Sequence, residues 1–245
     1  MVNNWLLDQL APCHCELCQL PSGRPLALCR ACQTELPGNP RCCQQCSIPL
    51  PENAGRCGQC LQSPPAYQHS CVPWLYTPPV NEFLWRFKFS AEMQMLPLLT
   101  ELLATDAERE LRQFGAPDIL VPAPLHWRRQ WWRGFNQAGL LAWSLARHPR
   151  LRSWQLPVAQ RLCKKLRATA PQQQLDRRRR QHNLRQAFTC NADLEGKFVV
   201  VIDDVMTTGA TVHHLAQVLR NAGASRVHVW CVARTPGPSN TPNPG

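Results

Sequence analysis

The chain is poor in acids. Its 245 residues carry 16 Asp and Glu against 27 Lys and Arg, a formal charge of +11. It has no apolar run of 18 or more residues, so no membrane span is expected. The opening, MVNNWLLDQLAPCHC, lacks a basic leader followed by a long apolar stretch. No secretory signal is therefore expected, and the cytoplasm is the expected compartment. Residues 1–70 are short of aliphatic side chains between their cysteines and cannot close a large apolar core, so something other than burial has to staple them.

What that segment does have is cysteine: 11 of the chain's 14 precede residue 72. In a cytosolic protein this density points to metal rather than disulfides. Cys15 and Cys18, Cys29 and Cys32, Cys43 and Cys46, and Cys57 and Cys60 form four C-x2-C knuckles, ten residues apart, repeating every 14. One knuckle offers two thiolates about a tetrahedral edge apart, and two complete a four-cysteine zinc site. Eight ligands imply two structural Zn2+ ions with no coordination position left open. Equal spacing is compatible with sequential and with crossed sites; two consecutive ribbons are the preferred reading. Cys13, Cys42 and Cys71 are spare thiols, and His14 or His69 could substitute as a ligand.

Beyond residue 70 the pattern turns to alternating strands and helices. Residues 70–77 read as a strand. Residues 80–104 carry helical periodicity, with Pro97 as the expected break. Ile119 to Val121 is a short buried strand closed by Pro122 and Pro124, and residues 135–146 read as a helix. FVVVI at 198–202 is a continuous apolar run, as in a central parallel strand. A helix through Val212, Leu215 and Leu219, ended by Gly223, leads to a strand over 226–233, which completes a βαβ unit. The expected division is a zinc module over 1–70, an α/β domain over 71–235 and a disordered tail over 236–245.

The richest segment runs from Val199 to Thr211. A strand delivers Asp203 and Asp204 at its carboxyl end, where ligands bind in such sheets. The loop Thr207-Thr208-Gly209-Ala210-Thr211 follows and opens a helix. Its backbone N–H groups can face a phosphate, Gly209 allows close approach, and the threonines add hydroxyl donors. The acids cannot bind phosphate; they suit ribose hydroxyls and, through these, Mg2+.

This segment resembles the phosphoribosyl pyrophosphate (PRPP) motif of type I phosphoribosyltransferases. Together with Val121-Pro122-Ala123-Pro124-Leu125, Arg133 to Gln137, Thr169, Gln172 to Leu175, Arg180, Asn183 and Ala187-Phe188, it resembles the ComF family. The GntX-type members are the most similar. The resemblance implies an α/β fold: a type I phosphoribosyltransferase-like parallel sheet flanked by helices, behind a small Cys-rich zinc module. It also implies a link to natural competence and the use of external DNA, with DNA-uptake proteins as candidate partners. Carried over by position, Val121 to Leu125 form the loop near pyrophosphate. Arg133, Asn136 and Gln137 line the same mouth, and Thr169 to Asn183 form a hood. Lys88 matches the family's basic residue after the first helix, but Ser90 and Ala91 stand where the family usually has a glycine.

In a phosphoribosyl transfer, charge develops on the ribose ring and the departing pyrophosphate. Arg133, Arg167 and Arg180 could meet the latter while Asp203 and Asp204 hold the sugar. Purine-salvage relatives place an acid just before the Thr-Gly of the loop; Thr207 stands there instead, so no acceptor is indicated. Residues 120–190 hold 15 Lys and Arg against Asp176 alone, and five tryptophans, including Trp127, Trp131 and Trp132, stand among them. That pattern suits single-stranded DNA. The alternative function is therefore a non-catalytic DNA-binding accessory protein with a sensing or vestigial PRPP site.

Overall fold

A computed structural model describes residues 13–52, 55–125, 134–166 and 187–237. Its strands are β1 (His69–Cys71), β2 (Trp74–Leu75), β3 (Ile119–Pro122), β4 (Cys163–Lys165), β5 (Phe188–Cys190), β6 (Phe198–Met206) and β7 (Arg226–Arg234). The helices are α1 (Arg30–Thr34), α2 (Gly58–Gln62), α3 (Val80–Phe89), α4 (Met95–Phe114), α5 (Gln137–Arg147) and α6 (Ala210–Asn221).

The main sheet is wholly parallel, in the order β1, β7, β6, β3, with β2 also paired to β7. This is the expected parallel sheet flanked by helices. Its centre is the apolar run of β6, where Val199, Val200, Val201 and Ile202 are all fully buried. Such double-sided burial is what a strand covered on both faces requires. On one face pack α3, α4 and α5, through Phe83, Phe87, Leu98, Leu102, Leu141 and Leu145. Val212, Leu215 and Leu219 of α6 cover the other. β3 carries Pro122 at its last position, a residue without an N–H that an edge strand tolerates. β4 and β5 form a separate antiparallel pair.

Two sequence expectations need correction. Pro97 does not break a helix. The chain turns after Phe89, and Pro97 sits in the first turn of the 20-residue α4, where backbone N–H groups need no intrahelical partner. The strand expected over 70–77 is two short pieces, β1 and β2, separated by Val72-Pro73.

The cysteine-rich segment folds as two successive turns of similar build. Its apolar residues do not form a core of their own: Cys15, Leu28 and Leu36 join the cluster beneath α3 and α4.

Candidate functional site

β3 ends one position before the acids do their work. Pro122 pairs with Ile202, and the ladder closes with Ala123 N–H donating to the Ile202 carbonyl at 2.8 Å. β6 continues beside β7 alone, with Asp203 opposite Cys231 and Met206 opposite Arg234. The loss of one neighbour opens a crevice at the carboxyl end of the sheet, and Asp203 and Asp204 stand at its edge.

Both carboxylates bend back to the strand. Asp203 Oδ1 accepts from the Asp204 N–H at 2.9 Å, and Asp204 Oδ1 accepts from the Val205 N–H at 2.7 Å. Lys88 Nζ lies 2.9 Å from Asp204 Oδ1. Burial pulls the Lys88 ammonium toward deprotonation, but the Asp204 and then the Asp203 carboxylates outweigh it and hold its pKa above the ordinary lysine value. Asp203 is pushed up to about 7, first by burial and then by the charge of Asp204, against the opposing pull of Lys88. Lys88 thus pairs directly with Asp204, while Asp203 feels it only at a distance.

The loop after β6 has the expected form. Gly209 adopts φ 77, and a Cβ there would meet the Tyr67 hydroxyl at 3.3 Å, so both backbone and space call for glycine. Thr207 and Thr208 are exposed, and Thr208 Oγ1 accepts from the Ala210 N–H at 3.3 Å at the start of α6. The N-terminus of α6 therefore follows the acids by only six residues, Asp204 to Ala210.

A cavity of about 460 Å³ borders the crevice, lined among others by Pro124, Leu125, Asn136, Arg161, Lys164 and Lys165. Lys165, a cavity residue, also acts electrostatically on Asp203, with a smaller effect than Lys88. Asn136 caps α5, accepting from the Gly139 N–H at 3.4 Å while donating to the Ala123 carbonyl at 3.2 Å. It thereby ties the helix to the loop after β3. Val121, Pro122 and Ala123 are buried behind this mouth. Gln137 is 2% exposed and does not line the cavity; its Nε2 has no hydrogen-bond partner among the described residues. Arg133, Arg167, Thr169, Gln172, Arg180 and Asn183 lie outside the described residues, as do Trp127, Trp131 and Trp132. Sequence reasoning missed Arg161, Lys164 and Lys165 as cavity residues, although the basic excess of this stretch pointed toward them.

The eight knuckle cysteines gather as two groups, Cys15, Cys18, Cys29 and Cys32, and Cys43, Cys46, Cys57 and Cys60, each with its sulfurs within 4.8 Å of one another. The grouping is sequential. Each group could hold one zinc ion, and the donor set fits: four soft thiols at tetrahedral reach, as a double zinc ribbon requires. The hydrogen bond from the Cys46 thiol holds the Cys43 thiol below its ordinary pKa, against the opposing effect of burial. His69 is not a ligand in either group; its Nε2 lies 3.0 Å from Glu110.

The phosphoribosyl transferase domain family matches residues 156–242. The DNA utilization protein YhgH of Escherichia coli is 40% identical over 152 residues, covering 61% of this chain and 65% of that protein. Competence protein F of Haemophilus influenzae is 34% identical over 156 residues, again 61% and 65%. Over these stretches the chain is similar to these DNA-utilization and competence proteins. It spans about 65% of their length. Among solved structures, a purine phosphoribosyltransferase from Pyrococcus horikoshii aligns over 56% of this chain and 73% of its own, at 15% identity and a TM-score of 0.36. The two four-cysteine groups precede the stretch that the phosphoribosyl transferase domain family matches. Among the described residues no helix is long and apolar enough to cross a membrane.

Proposed function

We propose that this protein binds PRPP with Mg2+ at the crevice and serves the use of external DNA, as the names of its homologues suggest for them. The observation that carries the reading is the conjunction at the end of β6: two carboxylates, one tethered lysine, and a Gly209-centred loop opening α6. Thr207 to Thr211 hold the 5-phosphate, and Asp203 and Asp204 take the ribose hydroxyls. Pyrophosphate extends past Lys88 toward the cavity with Arg161, Lys164 and Lys165. Mg2+ arriving with the pyrophosphate would neutralise part of its charge. The chain's own cations do the rest, and they are preorganised by the fold rather than recruited during reaction.

PRPP with Mg2+ should raise the melting temperature, by an increment worth about 2.7 kcal/mol at a hundredfold excess over Kd. Asp204→Asn should cut that shift by at least half, since it removes a carboxylate from the ribose contact and loosens Lys88. A parent protein whose melting is indifferent to PRPP would remove the reading.

A second reading rests on the basic excess of residues 120–190 and on the cations of the cavity. On that reading the protein binds single-stranded DNA through this face, and the PRPP site senses or is vestigial. Fluorescence anisotropy should then show affinity falling with salt, at a log–log slope of roughly −0.7 per phosphate contact. Replacing Arg177 to Arg180 with Ala should flatten the slope by about two to three. An oligonucleotide that fails to bind at low salt rules this reading out and leaves the small-molecule transferase.

A further inference from the structure

Arg234 closes β7 and is 5% exposed. A buried cation ordinarily pairs with an acid. Among the described residues the hydrogen bonds of this guanidinium all go to backbone carbonyls. Nε donates to Cys46 at 2.9 Å; Nη1 donates to Met206 at 3.0 Å, to Thr207 and to Thr235 at 3.1 Å. Cys46 is a member of the second four-cysteine group. Met206 and Thr207 lead directly into the phosphate loop. One side chain therefore grips the metal knuckle with one edge of its fork and the loop with the other. An arginine can do this because its donors are spread over a rigid plane; a lysine offers a single point.

A second line runs beside it. Gln45 Nε2 donates to the Tyr67 carbonyl at 3.0 Å, and the buried Tyr67 hydroxyl lies against Gly209. The knuckle Cys43 to Cys46 is thus joined to the loop at two points, at its start in Thr207 and at its middle in Gly209.

We propose that Arg234 is a positioning residue that transmits the order of the second zinc site to the phosphate loop, so that metal in the Cys43, Cys46, Cys57 and Cys60 group holds Thr207 to Thr211 in binding geometry. The functional meaning of this coupling rests on the PRPP reading of the loop; the coupling itself does not. Loss of zinc frees the Cys46 carbonyl, the fork loses one of its two anchors, and the loop loosens without any change to the acids.

Hydrogen exchange on the full zinc-loaded chain tests this without a ligand. In Arg234→Gln the amides of residues 207–211 and 46–48 should exchange at least tenfold faster, while α3 and the first four-cysteine group keep parental rates. Cys57→Ser removes a metal ligand that belongs to the other knuckle of the group and makes no hydrogen bond to Arg234, and it should speed the same loop amides by a similar factor. The double variant should be no faster than the faster single, because both break one line of transmission. Independent, multiplying effects in the double variant, or loop exchange unchanged in the singles, overturn the proposal. Arg234→Lys keeps the charge and covers the case in which the glutamine variant does not fold. It should regain less than half of the protection, and full recovery also overturns the proposal. Calorimetry of the parent with PRPP and Mg2+ separates the two claims. No heat with the exchange pattern intact removes the PRPP reading alone; heat with multiplying exchange effects removes the coupling alone.

Discussion

The two four-cysteine ribbons are built alike and docked differently. In the first, Cys15 N–H donates to Leu20 at 2.8 Å and Gln19 N–H to Cys15 at 2.9 Å; in the second, Cys43 N–H donates to Ile48 at 2.9 Å and Ser47 N–H to Cys43 at 2.8 Å. Gln19 and Ser47 both take a left-handed backbone, at φ 60 and 51. Cys29 and Cys57 both cap a short helix, through Sγ accepting from Cys32 and Cys60. All of this is what a four-thiolate metal site would ask of each ribbon. The positions the metal does not dictate decide where each ribbon sits. Gln19 is exposed, whereas its counterpart Ser47 is fully buried and hydrogen-bonds Ser70 at 2.7 Å. Leu17 stands in solvent, whereas its counterpart Gln45 reaches Tyr67. Glu16, in turn, makes a contact the second ribbon lacks: it meets Arg86 of α3 at 2.8 Å. So the first ribbon braces the helix that carries Lys88, and the second braces the loop. The site is held from two sides by two copies of one motif.

The strongest way to break this comparison is to remove one metal at a time. Structural zinc contributes on the order of 10 kcal/mol to the folding of such modules, so Cys15→Ser and Cys43→Ser should each unfold one ribbon. Metal analysis should find two zinc per parent chain and one in each variant. The consequences should differ: Cys43→Ser should abolish the PRPP-induced melting shift, and Cys15→Ser should weaken it while destabilising α3. Equal effects on the loop from both variants would erase the distinction.

Next in size is Asp203. Its folded pKa near 7 lies well above the ordinary aspartate value, so the ionised form is disfavoured by the fold. The stability it contributes is complete below about pH 4 and is lost as pH rises through about 7. Ligand-free protein should therefore lose about 2–4 kcal/mol between these limits from this group. Asp203→Asn should be the more stable protein at pH 8 and should no longer respond to PRPP. The parent's PRPP affinity should rise from pH 6 to pH 8, since ribose hydroxyls donate to the carboxylate. Melting curves at the two pH values check the first claim, and calorimetry checks the second.

The link between the first ribbon and α3 is smaller. Arg86 joins Glu16 at 2.8 Å to Glu92 at 2.6 Å, and all three side chains are less than a third exposed. Glu16→Gln should cost about 1 kcal/mol in chemical denaturation and leave zinc content at two. A larger loss would mean that the ribbon is held mainly by this pair rather than by Cys15 and Leu28 in the core.

These contacts also mark where sequence reading stops. The run FVVVI, the acid pair, the Gly209 turn and the βαβ order were all visible, because each is local and each carries a period or a chemical type. The sequential grouping of the knuckles was not decidable, since ten-residue spacing is the same for every neighbouring pair. Arg234 falls just past the strand expected over 226–233, and nothing local marks its role. Its partner Cys46 lies 188 residues away, and carbonyl oxygens carry no residue identity that a sequence could display. The Lys88–Asp204 pair lay between these extremes: both residues were candidates, but nothing local joined them.

The smallest expected effect lies at the turn after α3. The family resemblance puts a glycine where this chain has Ser90 and Ala91, and Ala91 adopts φ 52. A left-handed alanine costs roughly 1–2 kcal/mol, because its Cβ crowds the following carbonyl. Glycine removes that strain but loses more entropy on folding, by roughly 0.5–1 kcal/mol relative to alanine. The difference favours glycine by up to about 1.5 kcal/mol. Ala91→Gly should therefore raise the melting temperature slightly, with zinc content unchanged. It should also leave PRPP affinity unchanged, because α3 already holds Lys88 on Asp204 through Phe83, Phe87 and the first ribbon rather than through the turn. A variant that is less stable would show that Ser90-Ala91 makes contacts that offset the strain. A variant that binds PRPP more tightly would show instead that the turn, and not the ribbon, sets the position of Lys88.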